Sequence, residues 1–135
     1  MNFDIKQLSF KLAQYAIIEN DHEQILVLER KRSKTWSLPG GRLERSFRNP
    51  LTALRREIKE ELNLFIICAE PMDVSIIQDK YQTKYCVYFL VDIKDLTSLK
   101  LSSEYYNFKW VGKKIARGMR FEDKMISKII YSVSN

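Results

Sequence analysis

The alternation of apolar and polar positions along the chain predicts strands on both sides of one central helix. Residues 12–18 and 24–30 are strand-like, and because they flank the polar turn "ENDHE" we expect them to form a hairpin. Residues 35–44 read as a short strand that runs into a Gly-Gly loop. Further strands are predicted at residues 64–71, 73–78, 85–93 and 105–111.

Two segments have the spacing and end signals of helices. Asn49 can cap a helix whose first residue is Pro50, and this helix should end at Leu62, where Asn63 can adopt the left-handed conformation. Near the C-terminus, apolar residues recur at helical spacing and predict a second helix that packs on the sheet. These residues are Phe121, Met125, Ile126, Ile129, Ile130 and Val133. This order of strands and helices indicates an α+β fold or an α/β/α sandwich.

Length and composition favour one soluble globular domain that spans residues 1–135. Hydrophobic residues make up 45% of the chain, which is typical of a folded protein with a single core. The N-terminus has no apolar stretch like a signal peptide, and the run "YCVYFLV" is too short to cross a bilayer. We therefore expect a cytoplasmic protein without membrane contact.

Cysteine and histidine are scarce. Cys68 and Cys86 lie in apolar strand-like segments and are expected to be buried free thiols. The single histidine, His22, lies in a polar turn, which leaves too few ligands for a zinc site and too few partners for a Ser-His or Cys-His nucleophile. Any chemistry should therefore use carboxylates, lysine, tyrosine or a hard metal ion.

Positive charge is concentrated between Arg30 and Arg56. The whole chain carries +6, but this window alone carries +8, since Glu44 is its one acidic residue. The basic residues are Arg30, Lys31, Arg32, Lys34, Arg42, Arg45, Arg48, Arg55 and Arg56. Such a concentration suggests an anionic partner, with phosphate as the usual candidate, and a solvated basic surface as the alternative.

The central helix carries Glu57, Glu60 and Glu61 on one face, roughly 110° from its apolar stripe. The apolar stripe comprises Leu51, Leu54, Ile58 and Leu62. Like charges at these spacings repel and raise one another's pKa. A bound Mg²⁺ ion, which prefers oxygen ligands, would remove both penalties.

An ordinary solvated face is the competing interpretation, with Arg55, Arg56 and Lys59 neutralising the glutamates. The loop upstream favours the metal site. Gly40 and Gly41 let the backbone come close to a ligand, and a carbonyl there could complete the site. The combination of Pro-Gly-Gly with a helix that reads Arg-Glu-x-x-Glu-Glu is more specific than either element alone.

The segment "GGRLERSFRNPLTALRREIKEELNL" resembles the signature of the Nudix hydrolases, Gly-x5-Glu-x7-Arg-Glu-U-x-Glu-Glu-x-Gly-U, where U is bulky and apolar. Gly41 matches the first glycine, residues 56–61 match Arg-Glu-U-x-Glu-Glu without a gap, and Leu64 matches the final U. "WSLPGG" and "FKWV" are also similar to common Nudix surroundings. The resemblance implies a Nudix-type α/β/α sandwich with a mixed central sheet.

The resemblance also implies a reaction, namely hydrolysis of a nucleoside diphosphate linked to another moiety X by attack of water on phosphorus. Mg²⁺, or Mn²⁺ in its place, would be held by Glu57, Glu60 and Glu61 together with the Gly41 carbonyl. Arg56 would hold a glutamate or the loop in place. The general base would be Glu61, a metal-bound hydroxide, or Glu104 in the loop before the last strand.

The substrate implied is a small molecule derived from a nucleotide. Arg30, Arg32 and Arg42 are candidates to neutralise its phosphates, and Trp36 is a candidate to stack on its base, with a core role as the alternative for this aromatic residue. Many relatives form dimers, so the resemblance also allows a homodimer.

The segment departs from the signature at three points. The spacing from Gly41 to Arg56 is one residue longer, and Asn63 replaces the closing glycine, which Asn can do because it tolerates the left-handed region. The internal glutamate is missing, because Phe47 or Arg48 stands in its place. This loss puts a second metal ion in doubt, and Glu44 is the residue that could compensate for it.

Two other functions stay open at this point. A Nudix-like module that has lost turnover and senses a nucleotide would explain the missing glutamate. A pyrophosphohydrolase acting on RNA 5′ ends would explain the basic window, although no additional RNA-binding domain is recognisable and this alternative is not favoured.

Overall fold

The protein has a mixed α+β fold in which helices pack on a central β-structure, as predicted. The computed structural model describes residues 10–44, 46, 49–78 and 82–133. The strands are β1 (Phe10–Ile18), β2 (Ile25–Arg30), β3 (Trp36–Ser37), β4 (Gly40–Arg42), β5 (Ile66–Gln78), β6 (Thr83–Ile93) and β7 (Tyr105–Val111). The helices are α1 (Pro50–Leu62), α2 (Lys113–Ala116) and α3 (Lys124–Val133), with a short 3₁₀ turn at Leu96–Ser98.

The strands form two sheets. The first is mixed and has the order β4-β1-β6-β5, in which β1 pairs parallel with β6 and antiparallel with β4, and β5 pairs antiparallel with β6. The second sheet has the order β3-β2-β7 and is antiparallel. Strand β1 therefore lies inside the first sheet, where it is hydrogen-bonded to β4 on one side and to β6 on the other.

The hairpin predicted from residues 12–18 and 24–30 is wrong. The two strands belong to different sheets, and between them only Glu19 and Ile25 form an isolated bridge. The turn itself is tight, because the Asn20 side chain accepts hydrogen bonds from the backbone N–H groups of His22 and Gln24. Both edges of β1 are occupied by other strands, so β2 has to leave the sheet after the turn.

Three further boundaries differ from the predictions. The segments 64–71 and 73–78 form one long strand, β5, with a bulge between Pro71 and Asp73 that explains the apparent break. The Gly-Gly segment is part of the edge strand β4 and not a loop. The C-terminal helix begins at Lys124, and Phe121 precedes it in a bridge with Trp36.

Helix α1 and helix α3 pack on opposite sides of the sheets, because the inner strands alternate their side chains between two cores. The core on the α1 side contains Ala16, Ile18, Leu26, Leu28, Leu54, Ile58, Leu62 and Phe89. The core on the α3 side contains Ala13, Ile17, Ile25, Val27, Cys86, Tyr88, Ile126, Ile129 and Ile130. This arrangement is the predicted α/β/α sandwich.

The ends of α1 form as the sequence predicts. The Asn49 side chain accepts a hydrogen bond of 2.8 Å from the Leu51 backbone N–H, Pro50 opens the helix, and Asn63 ends it with a φ of 56°. Cys86 is buried as predicted, but the prediction is wrong for Cys68, which is exposed on β5 and donates to Asp92. Within the described ranges, none of the helices has the length and apolar character needed to span a membrane.

Candidate active site

The acidic face of α1 meets the central sheet where β1 and β4 pair. Gln14 lies opposite Gly41 in this pairing, and its side chain is fully buried on the α1 side of the sheet. Its Nε2 donates a 2.6 Å hydrogen bond to Oε1 of Glu57. A Cβ on residue 41 would lie 2.5 Å from Oε2 of the same carboxylate, so glycine leaves the space that Glu57 occupies.

Gly40 is required by the backbone itself. Its φ of 138° is rarely adopted by residues with a side chain, and a Cβ there would lie 2.2 Å from the Gln14 carbonyl oxygen. A Cβ on the neighbouring Gly41 would meet only the flexible end of the Glu57 side chain. The two glycines therefore serve different purposes, one for the strand pairing and one for the carboxylate.

Glu61 approaches the same region from the next turn of the helix. Burial, and then the nearby Glu61 carboxylate, raise the pKa of Tyr105 at the start of β7. One carboxylate oxygen of Glu61, Oε2, is buried and has no hydrogen-bond partner. A buried carboxylate oxygen without a donor is costly, so this position suits an added cation.

Both carboxylates have strongly raised pKa values. Burial raises the pKa of Glu57 to about 7, although the hydrogen bond from Gln14 opposes the shift. Burial and then repulsion from Glu57 raise the pKa of Glu61 to about 8. The protein thus maintains two carboxylates that resist ionisation unless a positive charge joins them.

These pKa values predict a pH-dependent stability. Between the usual glutamate pKa of 4.5 and the raised values of about 7 and 8, the folded state binds more protons than the unfolded chain. The free energy of unfolding should therefore fall as pH rises from 4.5 to about 8 and then level off. We expect the melting temperature in EDTA to drop between pH 6 and pH 8.5, and Mg²⁺ to stabilise more at pH 8.5. Circular dichroism would measure this change, and a Glu57→Gln, Glu61→Gln double variant that kept the same slope would contradict it.

Glu60 and Glu44 lie around a small neighbouring cavity of about 60 Å³. Arg42, Ala53, Arg56 and Glu57 complete its lining. Glu60 accepts a 2.8 Å hydrogen bond from Nε of Arg56, one helical turn earlier. Ala53 leaves room between these side chains, and Glu44 stands with Glu57 and Glu60 around one space.

An open cleft of about 390 Å³ lies in front of Glu57 and Glu61. Its other lining residues are Tyr15, Arg30, Gly40, Gly41, Arg42, Lys84 and Glu122. The lining therefore combines three cationic side chains with three carboxylates, those of Glu57, Glu61 and Glu122. Nε of Arg30 forms a 3.2 Å ion pair with Glu122, and its guanidinium lies 5.6 Å from the centre of the Tyr105 ring.

The family of the chain follows from a comparison of its sequence with models of known domains. The model of the NUDIX domain matches residues 9–128, which is most of the chain. The chain belongs to the Nudix family. It is a Nudix hydrolase, and members of this family act on nucleoside diphosphates linked to another moiety.

Solved structures share the Nudix fold with this chain. The solution structure of the E. coli ORF135 protein has a TM-score of 0.78 at 19% identity, and the comparison covers 96% of this chain and 91% of that one. The MutT protein from Methanosarcina mazei Go1 gives 0.74 at 20% identity, with 94% of each chain covered. A C. elegans Ap4A hydrolase gives 0.71 at 18% identity and coverages of 92% and 93%. No curated protein sequence matches the chain significantly.

The Nudix glutamates fit a hard cation in part. Glu57 and Glu61 supply carboxylate oxygens in the cleft, and one of these oxygens is buried without a partner. Across the part of the chain that the structure describes, no three histidine, cysteine, aspartate or glutamate residues converge closely enough to form a ready metal cluster. Glu60, which is turned to Arg56, would have to change rotamer to join the other two glutamates.

The remaining predicted site residues are distributed around the cleft. Arg32 and Glu104 line an opening of about 440 Å³ that Arg30 shares, so they border the cleft without facing its carboxylates directly. Trp36 does not line the cleft; it packs against the core on the α3 side, with Nζ of Lys109 at 5.9 Å from its ring. The geometry therefore favours the core alternative for Trp36.

The basic window divides in the structure. Arg30 and Arg42 reach the Nudix cleft, whereas Arg55 turns away and donates to the Ile66 carbonyl. Arg45 and Arg48 lie outside the described residues, as does Phe47 at the position of the missing glutamate.

Five residues at the Nudix site were not found from the sequence. They are Gln14, Tyr15, Lys84, Tyr105 and Glu122. The sequence contains one signal for Gln14, because it is a polar residue in the middle of the apolar run "LAQYAII". The others occupy ordinary strand and loop positions, and only the pairing of distant strands brings them together.

Proposed function

We propose that this chain, as one domain over residues 1–135, is a divalent-metal-dependent hydrolase of nucleoside diphosphate derivatives. The observation that carries the proposal is the cleft in which Glu57 and Glu61 face Arg30, Arg42 and Lys84. Carboxylates suited to a hard cation beside cations suited to phosphate form a complementary pair of binding surfaces for a metal-bound pyrophosphate.

The metal ion in this proposal is Mg²⁺, with Mn²⁺ as a substitute. Glu57, Glu60 and Glu61 would hold it, together with the Gly41 carbonyl, and Glu44 would compensate in part for the missing internal glutamate. When bound, the ion would polarise phosphoryl oxygens and neutralise charge that develops on them. Support comes from the position of Glu44 beside Glu57 and Glu60 around one small cavity.

The chain's own groups have separate tasks in the reaction. Arg30, Arg42 and Lys84 neutralise the phosphate chain and orient it against the carboxylates. Glu61 or Glu104 accepts a proton from the attacking water. Glu61 lines the cleft beside these cations, and Glu104 lines the adjoining opening.

The nucleoside would occupy a cavity of about 110 Å³ that shares Tyr15, Lys84 and Glu122 with the cleft. Its other lining residues are Ser37, Leu38, Ile77, Tyr88, Asp123 and Ile126. The rings of Tyr15 and Tyr88 stack on each other at 5.8 Å, and Oγ of Ser37 is buried without a partner. An apolar cavity with a few fixed polar groups suits a heterocyclic base.

Replacement of Asp123 with asparagine should change which base is preferred. Asp123 also caps α3 by accepting from the Met125 N–H, and asparagine caps equally well, so the fold should be retained. We expect kcat/KM for the preferred nucleotide to fall by about 10-fold, which corresponds to about 1.4 kcal/mol. Kinetics on nucleotides with each base would measure this effect.

The matched control is Asp95→Asn, the same change at a cap that borders neither the cleft nor the cavity. It should leave kcat/KM unchanged. Equal losses in both variants, or no loss in Asp123→Asn, would show that this cavity does not bind the base.

The decisive experiment is a panel of nucleoside triphosphates, dinucleoside polyphosphates and nucleotide sugars incubated with Mg²⁺. Release of nucleoside monophosphate or of phosphate is expected for at least one class, and EDTA should abolish it. The Glu57→Gln variant should bind nucleotide without turnover. Absence of turnover across the panel with either Mg²⁺ or Mn²⁺ would contradict the proposal.

A second candidate is a nucleotide-sensing module with little or no turnover. The pairing of Glu60 with Arg56 and the missing internal glutamate favour it. Nucleotide binding by calorimetry without hydrolysis across the panel would support this candidate. Salt-dependent affinity for RNA far above that for free nucleotide would instead favour the RNA 5′-end alternative.

A further inference from the structure

Gln14 is a fully buried glutamine in the interior of the first sheet. Its backbone pairs with Gly41 of β4 on one side and with Val87 of β6 on the other, so two strands fix the position from which its side chain extends. The neighbours on the same face of the sheet include Ala16 and Val87, which pack in the apolar core on the α1 side. A glutamine in these surroundings is costly, because burial removes water from its polar atoms.

Hydrogen bonds offset this cost only in part. The Nε2 of Gln14 donates a 2.6 Å hydrogen bond to Oε1 of Glu57, whereas its own Oε1 is buried with no partner among the described residues. An unpaired buried oxygen costs about 1–3 kcal/mol, so an apolar side chain of similar length would serve stability better at this position. The contact with Glu57 is therefore the property that distinguishes glutamine from an apolar residue here.

This contact fixes one side of the Glu57 carboxylate. Gln14 binds Oε1, and Oε2 lies on the side of Gly41, where it is 2.5 Å from the position that a Cβ on residue 41 would take. Glu57 and Gly41 both line the cleft. The hydrogen bond from Gln14 thus favours the rotamer of Glu57 that keeps its second oxygen beside the Gly41 backbone.

The amide is suited to hold a carboxylate that also binds a cation, because it donates a hydrogen bond without carrying a charge. A lysine or an arginine at position 14 would neutralise Glu57 and repel a divalent cation at short range. An apolar residue would leave Oε1 of Glu57 without this donor. Of these three kinds of side chain, only the amide fixes the carboxylate and preserves its negative charge.

We infer that Gln14 is a positioning residue that orients Glu57, so that the carboxylate oxygen beside Gly41 is presented to the divalent cation in the cleft. The inference rests on the proposed function, because that function assigns Glu57 a cation to bind. Gln14 touches neither substrate nor metal in this assignment. It acts through Glu57, as outer hydrogen-bond partners commonly do at metal sites.

The test is Gln14→Met, which keeps nearly the same side-chain length and removes the donor. Methionine adapts well to apolar surroundings, so the variant should fold. Mn²⁺ binding to the substrate-free protein, followed by the electron paramagnetic resonance of free Mn²⁺, should weaken by about 10–100-fold. Nucleotide KM should change little, and high Mn²⁺ should restore most of the kcat, whereas a merely structural defect would not respond to metal.

Gln14→Asn is a second variant that keeps a polar amide at the buried position. Its side chain is shorter by one CH₂ group, so its nitrogen should not reach Glu57. We expect the same loss of Mn²⁺ affinity as in Gln14→Met. Wild-type affinity in this variant would show that the hydrogen bond to Glu57 is not what the cation site requires.

The matched control is Gln24→Met, the same change in the turn before β2. Gln24 is half-buried and also loses one side-chain hydrogen bond in this variant, because its Oε1 accepts 3.0 Å from Nδ2 of Asn20. It does not line the cleft. Gln24→Met should bind Mn²⁺ like the wild type, and a loss equal to that of Gln14→Met would contradict the inference.

Glu57→Gln separates failure of this inference from failure of the proposed function. If Glu57→Gln weakens Mn²⁺ binding but Gln14→Met binds within about twofold of the wild type, Gln14 has no positioning role. If Glu57→Gln binds Mn²⁺ like the wild type, the inference fails while the proposed function stands on Glu60 and Glu61. If the wild type itself takes up no Mn²⁺, with or without a nucleotide, the proposed function is overturned and the inference with it.

Discussion

Replacement of Glu61 with glutamine is expected to lower turnover by more than about 100-fold while leaving the fold intact. Loss of an outer partner of a metal ligand costs about 10–100-fold, and loss of the ligand itself should cost more. Glutamine keeps the size of the side chain and its hydrogen-bonding capacity but carries no negative charge. Initial rates on the best substrate of the panel, at saturating Mg²⁺, would measure the loss.

The same variant should be more stable than the wild type when metal is removed at pH 8. Glutamine carries no charge, so burial costs it less than it costs a carboxylate whose pKa is raised to about 8. A higher melting temperature together with lost turnover would identify Glu61 as a residue kept for function and not for stability. Near-wild-type turnover would refute the assignment of Glu61.

Glu60→Gln provides the comparison within the helix. Glu60 is largely exposed and paired with Arg56, so this change should leave metal-free stability nearly unaltered at any pH. Its turnover should nevertheless fall strongly if Glu60 joins the cation after a change of rotamer. Retained turnover in Glu60→Gln with loss in Glu61→Gln would restrict the metal ligands to Glu57 and Glu61.

The second large effect is expected at the glycine pair. Alanine at position 40 would have to adopt a φ of 138° and would lie 2.2 Å from the Gln14 carbonyl oxygen. We expect a loss of at least about 3 kcal/mol in the free energy of unfolding, or roughly 10 °C in melting temperature. Alanine at position 41 meets only the flexible end of Glu57, so stability should change little, but turnover should fall about 10-fold or more.

Gly112→Ala is the control for both substitutions, because a Cβ there would meet nothing within 4 Å. Thermal unfolding and initial rates on the three variants would separate the two roles. A Gly41→Ala variant with unchanged turnover would mean that Glu57 does not need its present position. A Gly40→Ala variant as stable as the control would contradict the described pairing of β4 with β1.

Much of the fold follows from local signals that act over short distances. The cap at Asn49, the first-turn Pro50 and the left-handed Asn63 fixed the ends of α1, and the structure confirms each. The alternation of residues 105–111 likewise predicted β7 with its observed bounds. The hairpin prediction failed because a turn specifies a reversal of the chain, whereas sheet membership depends on which distant strands occupy each edge.

The candidate site was predictable where its residues lie on one helix. Glu57, Glu60 and Glu61 can be placed on a common face from spacing alone. Gln14 could not be found this way, since its contact with Glu57 depends on strand register. Nor could Tyr105, since the loop before β7 bonds to the last carbonyls of α1, and no local pattern predicts that contact. Trp36 was expected at the site but packs against the core. An aromatic residue close to a motif in the sequence fills the core as readily as it binds a ligand.

The parallel pairing of β1 with β6 has a consequence for how the enzyme folds during its synthesis. Phe10 pairs with Thr83 and Ile18 with Val91, so the strand that carries Gln14 gains its central neighbour only after most of the chain has been synthesised. Contacts between such distant segments form slowly. A peptide that contains only the glutamate helix should therefore bind Mn²⁺ no better than any acidic peptide, and activity should appear only when the complete chain has folded.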